Sequence, residues 1–458
     1  MTRAAIIGCG TIGGGWAARL ALMGWDVAVF DTDPGAEARF APVMAAARRA
    51  LPMLYEAPMP APGAVRFCAT LEEAVAGADW VQESLPEDEA LKREVLAAIG
   101  AAAPEGALIA SSSAGLRASV LQQGQAAAER ILVASPANPA YLLPLVELLP
   151  GMRNSAQVVE AARRLLEGAG LAPMLARAES DGRVAERLQQ ALWREALWLV
   201  REGRATTQEI DAAIMEGFGL GLAQGGLFEG LRAGGLEAAL RKLPEELGVD
   251  AALVETAAAQ AGGPGEAGTE AALRQRDDGL VALLRALKMQ EMSAGRGLRA
   301  GDARLRAPLE ETVPMVTVRR IVPADWTDVN GHMNEGRYGQ LFSDAAEELM
   351  HHVGADSAYI EAGHSYFTVE TSVKYLDETH AGEAITVETR ITQGEGKKLR
   401  VSHEMRGAGD GGLRATCDQF MLHVSLETRR TCPPLPQVLE NVERLARQHA
   451  QEAEAAEG

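Results

Sequence analysis

The first residues able to do chemistry are Gly8, Gly10 and Gly13, in IIGCGTIGGGW, with Asp31 further along in DVAVFDTDP. An apolar run precedes this Gly-x-Gly-x-x-Gly turn and an Ala/Leu-rich helical run follows it. Such glycines permit a tight turn, close approach of backbone to a pyrophosphate, and close packing of helix on strand. The stretch Gly8, Cys9, Gly10, Thr11, Ile12 and Gly13 would then present backbone N–H groups and the positive end of a helix dipole to phosphate. Asp31, roughly twenty residues on, suits a ribose 2′-hydroxyl, and its charge would repel a 2′-phosphate. NAD is therefore expected in preference to NADP. The competing reading is a glycine turn that serves packing alone.

A second stretch, VASPANPAYLLPLVE from Val133 to Glu147, has the make-up of an active-site lip. Pro136 and Pro139 fix the backbone of its first half, and Glu147 is its only group able to move a proton near neutral pH. All eight histidines fall at or after position 332. Acid–base chemistry in the first 331 residues must therefore use carboxylates, Lys, Tyr or water.

The elements that must position these groups change along the chain. Residues 1–176 alternate short β-branched runs with helical stretches, which implies a parallel sheet wound with helices. Residues 177–300 lose the strands and carry 3.6-period apolar faces. QAGGPGEAGTE at 260–270 reads as a loop and AGRGLRAGDARLRAP at 294–308 as a linker, with residues 301–313 as the boundary segment. Residues 314–430 show long alternating strands around one helix, YGQLFSDAAEELMHHVG, whose Tyr338, Leu341, Phe342, Ala345 and Leu349 share a face. GEGK and GAGDGG read as hairpin turns, and residues 431–458 as a helical tail. The fold class expected is multidomain: an α/β nucleotide-binding domain, an all-α domain and an α+β domain.

Composition narrows the function classes. A formal charge of −19 argues against nucleic acid or an anionic membrane as partner. Four cysteines with no close pair of metal-site spacing imply a reduced compartment and no structural zinc. MTRAAIIGCG enters a strand pattern at once, and no run of about 18 apolar residues suggests a membrane span. A cytoplasmic protein is expected.

GCGTIGGGW, QESLPEDEALKREVL, ASSSAGL, ANPAYLLPLVE and ALWREAL together resemble the 3-hydroxyacyl-CoA dehydrogenase superfamily, and more closely its L-carnitine dehydrogenase branch. The last third, through DWTDVNGHMNEGRY, is similar to the hot-dog thioesterases that some of those dehydrogenases carry as a fusion. The resemblance implies a Rossmann domain, a helical domain and a hot-dog domain, with NAD-dependent oxidation of a carnitine-like 3-hydroxy acid and hydrolysis of an acyl-CoA thioester such as betainyl-CoA. It implies that Glu87 and Lys92 line the nicotinamide and substrate side of the cleft, and that Glu147 orients a catalytic His. That His should stand in a segment like HPFNP, where this chain has Ser135 in SPANP. Ala114 replaces a substrate-contacting Ser, Glu186 replaces an Asn or Asp, and GFGLGLAQGG lacks an expected Arg–Trp pair. The dehydrogenase segment has lost its base, so either slow oxidation, with Glu147 working through water, or none is expected.

For the thioesterase, the resemblance implies that Asp328 is nucleophile or general base and that His332 and Asn334 shape the site. An Asx-turn accounts for the same residues without catalysis. Trp326, Tyr338, Phe342, Tyr359, Tyr366, Phe367 and Tyr375 cluster in this part. Most must form a small core, leaving two or three for a trimethylammonium pocket, with Glu335 or Glu370 adding charge. Both kinds of domain commonly bury surface between subunits, so a homodimer is expected. The alternatives are a thioesterase carrying a degenerate NAD-binding or dimerisation domain, and a non-enzymatic NAD-sensing scaffold.

Overall fold

A computed structural model describes residues 2–179, 182–234, 250–260, 270–290, 292–305, 309 and 311–457. The chain divides into two compact units, residues 1–206 and 207–458.

In the first unit, β1 (Arg3–Ile7), β2 (Asp26–Phe30), β3 (Val65–Phe67), β4 (Trp80–Glu83), β5 (Leu108–Ser111) and β6 (Ile131–Pro136) are parallel. β7 (Leu145–Leu149) runs antiparallel to β6, and β8 (Ala172–Leu175) follows β7 in parallel. The sheet order is β3-β2-β1-β4-β5-β6-β7-β8. The central strands are continuous apolar runs because helices cover both faces. Ile6, Trp16, Leu20, Val29 and Leu132 pack on one side, and Ile7, Val81, Leu96, Ile99 and Ile109 on the other. Strand order reverses between β1 and β4, and the carboxyl ends of the strands at such a switch point are where sheets of this kind bind ligands. The wholly parallel sheet expected from the sequence is thus interrupted at β7, because the 133–147 stretch folds back as a hairpin.

The helix α7 (Val184–Arg201) belongs to this first unit, although the sequence reading starts the helical domain at 177. Its N-terminus is bonded to β6 through Arg183 and to β7 through Glu147.

The second unit begins with helices Thr207–Ala213, Gly219–Gly234, Ala251–Gln260, Glu270–Met289 and Ala294–Leu305. Residues 294–305 are therefore helix, not linker. Ala, Leu and Arg are strong helix formers and outweigh three glycines there. Residues 261–269 and 306–308, which carry most of the expected loop and the end of the linker, lie outside the described residues.

A five-stranded antiparallel sheet follows, with β9 (Met315–Ile321), β10 (His364–Tyr375), β11 (Ala384–Glu395), β12 (Lys398–Gly407) and β13 (Leu413–Ser425) in the order β10-β13-β12-β11-β9. It packs against a central helix, Glu335–Val353, capped by Asn334 at its start and by left-handed Gly354 at its end. The five residues assigned to one helix face are all buried. The helix Pro436–Glu457 is more than a tail: Val438, Val442 and Leu445 are buried with Leu349, Leu399 and Val401 in the same core.

Candidate active sites

The glycine turn has the geometry a pyrophosphate needs. Gly8 has φ +90°, and a Cβ there would stand 2.9 Å from the Ser84 carbonyl oxygen. A Cβ at Gly13 would stand 1.9 Å from the Gly8 oxygen, so only glycine lets α1 (Thr11–Leu22) lie so close to the turn. At Gly10, by contrast, nothing lies within 4 Å of the Cβ position. That side is open for an approaching phosphate. Gly10 caps α1 without a side-chain acceptor, and no acidic residue occupies the first turn, so the helix dipole faces the opening uncompensated. Thr11 is exposed there, while Ile12 packs partly on the core. Asp31 is fixed by the Cys9 N–H at 2.6 Å and the Asp33 N–H at 2.8 Å. Burial, then the Asp31 charge, push the Cys9 thiol up to about 11, so it packs as a neutral group. These residues fit a dinucleotide.

The crevice wall is braced by an ion pair that spacing did not reveal. Lys92, on α4 (Glu89–Ala102), is 1% exposed, and its ammonium donates to Glu83 at 2.8 Å and to the Leu85 carbonyl at 3.0 Å. Glu83, at the end of β4, also accepts from Ser111 at 2.5 Å and the Leu85 N–H at 2.6 Å. Lys92 therefore works from behind the wall. Glu87 is half-exposed, 3.7 Å from Lys92, and accepts from the Ser113 hydroxyl and the Gly115 N–H. Burial raises its pKa, but these bonds and the Lys92 charge outweigh that, so Glu87 titrates below its ordinary range. Ala114 lies between Glu87's two donors.

Ser135 and Glu147 are brought together, directly opposite in the β6–β7 register. Neither is open to a substrate proton. Glu147 is 3% exposed and accepts from the Val184 N–H at 2.8 Å and the Ala185 N–H at 2.9 Å. Arg183 is the N-cap residue of α7, and the Glu147 carboxylate supplies the capping acceptors from another element. Ser135, 2% exposed, is bonded to the Ser112 carbonyl at 3.3 Å and accepts from Arg183. Arg183 in turn lies 3.5 Å from Glu186 in the first turn of α7. A guanidinium thus holds Ser135 beside the carboxylate.

In the second unit, Asp328 does form an Asx-turn. Its Oδ1 accepts from the Asn330 N–H at 2.8 Å and the His332 N–H at 3.3 Å, and Gly331 takes φ +80°. Oδ2 has only a 3.5 Å contact with the Asn330 amide, so the turn leaves one oxygen available. The Asn330 bond, then the His332 N–H, hold this exposed carboxyl below its ordinary range despite some desolvation. Asn334 spends its side-chain oxygen on the Gly336 N–H at 3.0 Å, capping the central helix. His332 pairs with Glu378 at 3.3 Å and meets the edge of His380 at 4.9 Å. Glu378 and His380, which sequence spacing does not link to this turn, arrive from the β10–β11 connection through a His332–His380 bridge. His332, Glu378 and His380 bring ligand-type atoms within 4.8 Å of one another. Among the aromatics, Trp326, Tyr338, Phe342 and Tyr359 are core residues, and Phe367 and Tyr375 are exposed. Trp326 already has the Arg320 guanidinium 5.1 Å from its ring centroid.

A dinucleotide-binding sheet followed by helices, with an antiparallel sheet packed on a central helix and an Asp turn later in the chain, defines a dehydrogenase of the 3-hydroxyacyl-CoA type fused to a thioesterase-like domain. Family models agree: the 3-hydroxyacyl-CoA dehydrogenase NAD binding domain matches residues 3–179, its C-terminal domain 182–271, and the thioesterase-like superfamily 322–442. A Ruegeria pomeroyi protein named L-carnitine dehydrogenase/betainyl-CoA thioesterase is 45% identical, over 98% of this chain and 97% of its own. One of the same name from Rhizobium meliloti is 39% identical over 98% and 96%. The chain belongs to the L-carnitine dehydrogenase/betainyl-CoA thioesterase family. Among solved structures, 5-formyl-3-hydroxy-2-methylpyridine 4-carboxylic acid 5-dehydrogenase, described as an NAD+ dependent dismutase, is 30% identical, covering 63% of this chain and 99% of that one at a TM-score of 0.52. Among the described residues, no helix is long and apolar enough to cross a membrane.

Proposed function

We propose that this chain is an enzyme of carnitine breakdown built as a dehydrogenase and a thioesterase, in which the thioesterase is the competent half and the dehydrogenase, having lost its base, is slow or inactive. The observation that carries the reading is the contrast between two carboxylates. Asp328 keeps an oxygen free and anionic at the surface, whereas both oxygens of Glu147 are taken by α7.

In thioester hydrolysis Asp328 takes a proton from water as the water oxygen attacks the carbonyl carbon. The C–S bond then breaks and the CoA thiolate leaves. In this reading the N-terminal end of the central helix polarises the thioester carbonyl, and His332, paired with Glu378 at 3.3 Å, shapes the site. Betainyl-CoA is the proposed substrate. Glu335 and Glu370 are exposed acids available to its cationic head, and exposed Phe367 and Tyr375 are the aromatics left to contact it. Asp328→Asn keeps the turn's acceptor and shape while removing the base. CoA release from betainyl-CoA should fall at least 10²-fold with the circular dichroism unchanged. Hydrolysis at the parent rate would leave Asp328 as a turn residue only.

In the first unit the open Gly10 side, the start of α1 and Asp31 would hold NAD, which when bound supplies the hydride acceptor. Asp31 disfavours NADP, and calorimetric titration should show NAD binding at least tenfold tighter. Glu87 lines the nicotinamide side and Lys92 positions Glu83 and Glu87 from behind. The carbinol proton has no imidazole to receive it, which favours weak oxidation of L-carnitine, or none, leaving the thioesterase alone active. NADH formation assayed beside CoA release separates those outcomes. The protein is proposed to act in the cytoplasm as a homodimer. Exposed apolar side chains on α7 (Leu188, Trp193 and Leu197, the last two 61% and 63% exposed) and on the edge strand β10 suit subunit contacts.

A further inference from the structure

We propose that His364, His423 and Cys432 form a binding site for a zinc-class metal ion that staples the segment after β13 to the edge of the thioesterase sheet. The three residues stand on other elements than the turn that carries Asp328. They are 59 and 9 residues apart in sequence, so no motif announces them; the sheet brings them together.

In the β10–β13 ladder Tyr366 faces His423 and His364 faces Ser425. His364 is therefore the diagonal neighbour of His423 on one face of the sheet, and the two rings stack at 5.7 Å with 22° between planes. Beyond β13 the chain reverses, with Val424 bridged to Thr431 and Arg429 at φ +56°. The Cys432 N–H then donates to the His423 carbonyl at 3.1 Å. This reversal sets Cys432 Sγ 3.5 Å from His423 Nδ1. Zinc bonded to N at about 2.0–2.1 Å and to S at about 2.3 Å in a tetrahedron has an N···S edge of about 3.6 Å. The ligand-type atoms of all three residues lie within 4.8 Å of one another.

A second observation points to an ion. His364 Nδ1 is buried and has no hydrogen-bond partner among the described residues. The Tyr366 hydroxyl, whose ring stands edge-on to His423 at 5.0 Å, is in the same condition. Buried polar atoms without partners are rare because each forfeits its hydration. His423 alone has a sufficient reading without metal, since Nδ1 bonds the Cys432 carbonyl at 2.9 Å and Nε2 the Tyr359 hydroxyl at 2.8 Å. That reading leaves His364 unexplained. On binding, the Cys432 thiol gives its proton to solvent. The His423 Nδ1 bond to the Cys432 carbonyl breaks and that carbonyl turns away, while His423 carries its proton on Nε2, donating to the Tyr359 oxygen, so that Nδ1 is free for the ion. Two imidazoles and a thiolate suit zinc, with water in the fourth position. The ion would tie Cys432, and through it the start of helix Pro436–Glu457, to two strands.

The test uses the full-length protein without a histidine tag, stripped by chelator and titrated with Co²⁺ and then Zn²⁺. One equivalent of Co²⁺ should give a thiolate-to-metal charge-transfer band, which Zn²⁺ abolishes while raising the Tm. Cys432→Ser should remove the band, and His364→Gln should weaken Co²⁺ binding at least tenfold, both with betainyl-CoA hydrolysis retained. The His332, Glu378 and His380 group contains no thiol, so His380→Gln should leave the band intact. If Cys432→Ser fails to fold, His364→Gln decides the matter. Absence of the band in the parent, its survival in Cys432→Ser, or unweakened binding in His364→Gln would each overturn the site.

Discussion

Ser135 stands where an imidazole would complete a pair with Glu147, and its neighbour Arg183 changes what restoring that imidazole would do. A His at 135 would face Glu147 across the β6–β7 ladder, and the carboxylate would fix its tautomer and stabilise its cation. We expect Ser135→His to raise NAD-dependent oxidation of L-carnitine by about 10²-fold, the lower end for a positioned base. The guanidinium that now bonds Ser135 would oppose imidazolium formation. Ser135→His with Arg183→Gln should therefore be faster than Ser135→His alone, with its kcat/KM profile shifted to lower pH less by the neighbouring charge. Initial rates of NADH formation across pH 6–9 report both. A parent that oxidises carnitine briskly, unchanged by either substitution, would mean that another group supplies the base.

At the scale of elements, two buried carboxylates are spent on holding pieces in place. Glu147 satisfies two of the N–H groups that α7 leaves unpaired at its start. Glu147→Ala should cost the first unit about 1–2 kcal/mol in urea unfolding, the scale of a lost cap, and Glu147→Gln distinctly less because an acceptor remains. Equal losses in both would assign the effect to packing. Glu83 and Lys92 form a buried pair, and breaking one partner of such a pair typically costs about 3–5 kcal/mol. Lys92→Met should lose that much, and Glu83→Gln added to it should recover part, because the uncompensated charge is gone. These roles also mark where sequence reading stops. The glycine turn, the strands leading to β6 and the apolar face of the central helix were legible, because local spacing and burial period dictate them. The α7 cap, the Glu83–Lys92 pair, Arg183 beside Ser135, and Glu378 beside His332 were not. Each joins residues on separate elements, and pairing across a fold leaves no period in the chain. The helix at 294–305 is obscured in the sequence for a different reason: its glycines signal a linker while its Ala, Leu and Arg residues favour helix.

On the scale of the whole molecule, the distribution of histidine divides the acid response. All eight histidines lie in the second unit. His403 is fully buried between β11 and β13, bonded to Thr389 at 2.8 Å and Gln419 at 3.4 Å, and burial pushes it down to about 4. Burial lowers His449 as well. A histidine whose folded pKa lies below its unfolded value of 6.5 binds its proton more readily in the unfolded chain. The stability of this unit is therefore complete above about pH 6.5 and drains away as the pH falls towards 4. For His403 alone the loss reaches about 3 kcal/mol by the end of that window. The first unit has no imidazole, and its carboxylates begin to matter only near their own lower range. Between pH 6.5 and 4.5, urea midpoints followed by amide exchange should fall for β11, β12 and β13 and hold for β1, β4 and β5. His403→Gln, which keeps a polar side chain beside Thr389 but cannot charge, should flatten the slope of the second unit. If both units weaken together, or if His403→Gln remains as acid-sensitive as the parent, buried imidazoles do not govern the acid limit of this enzyme.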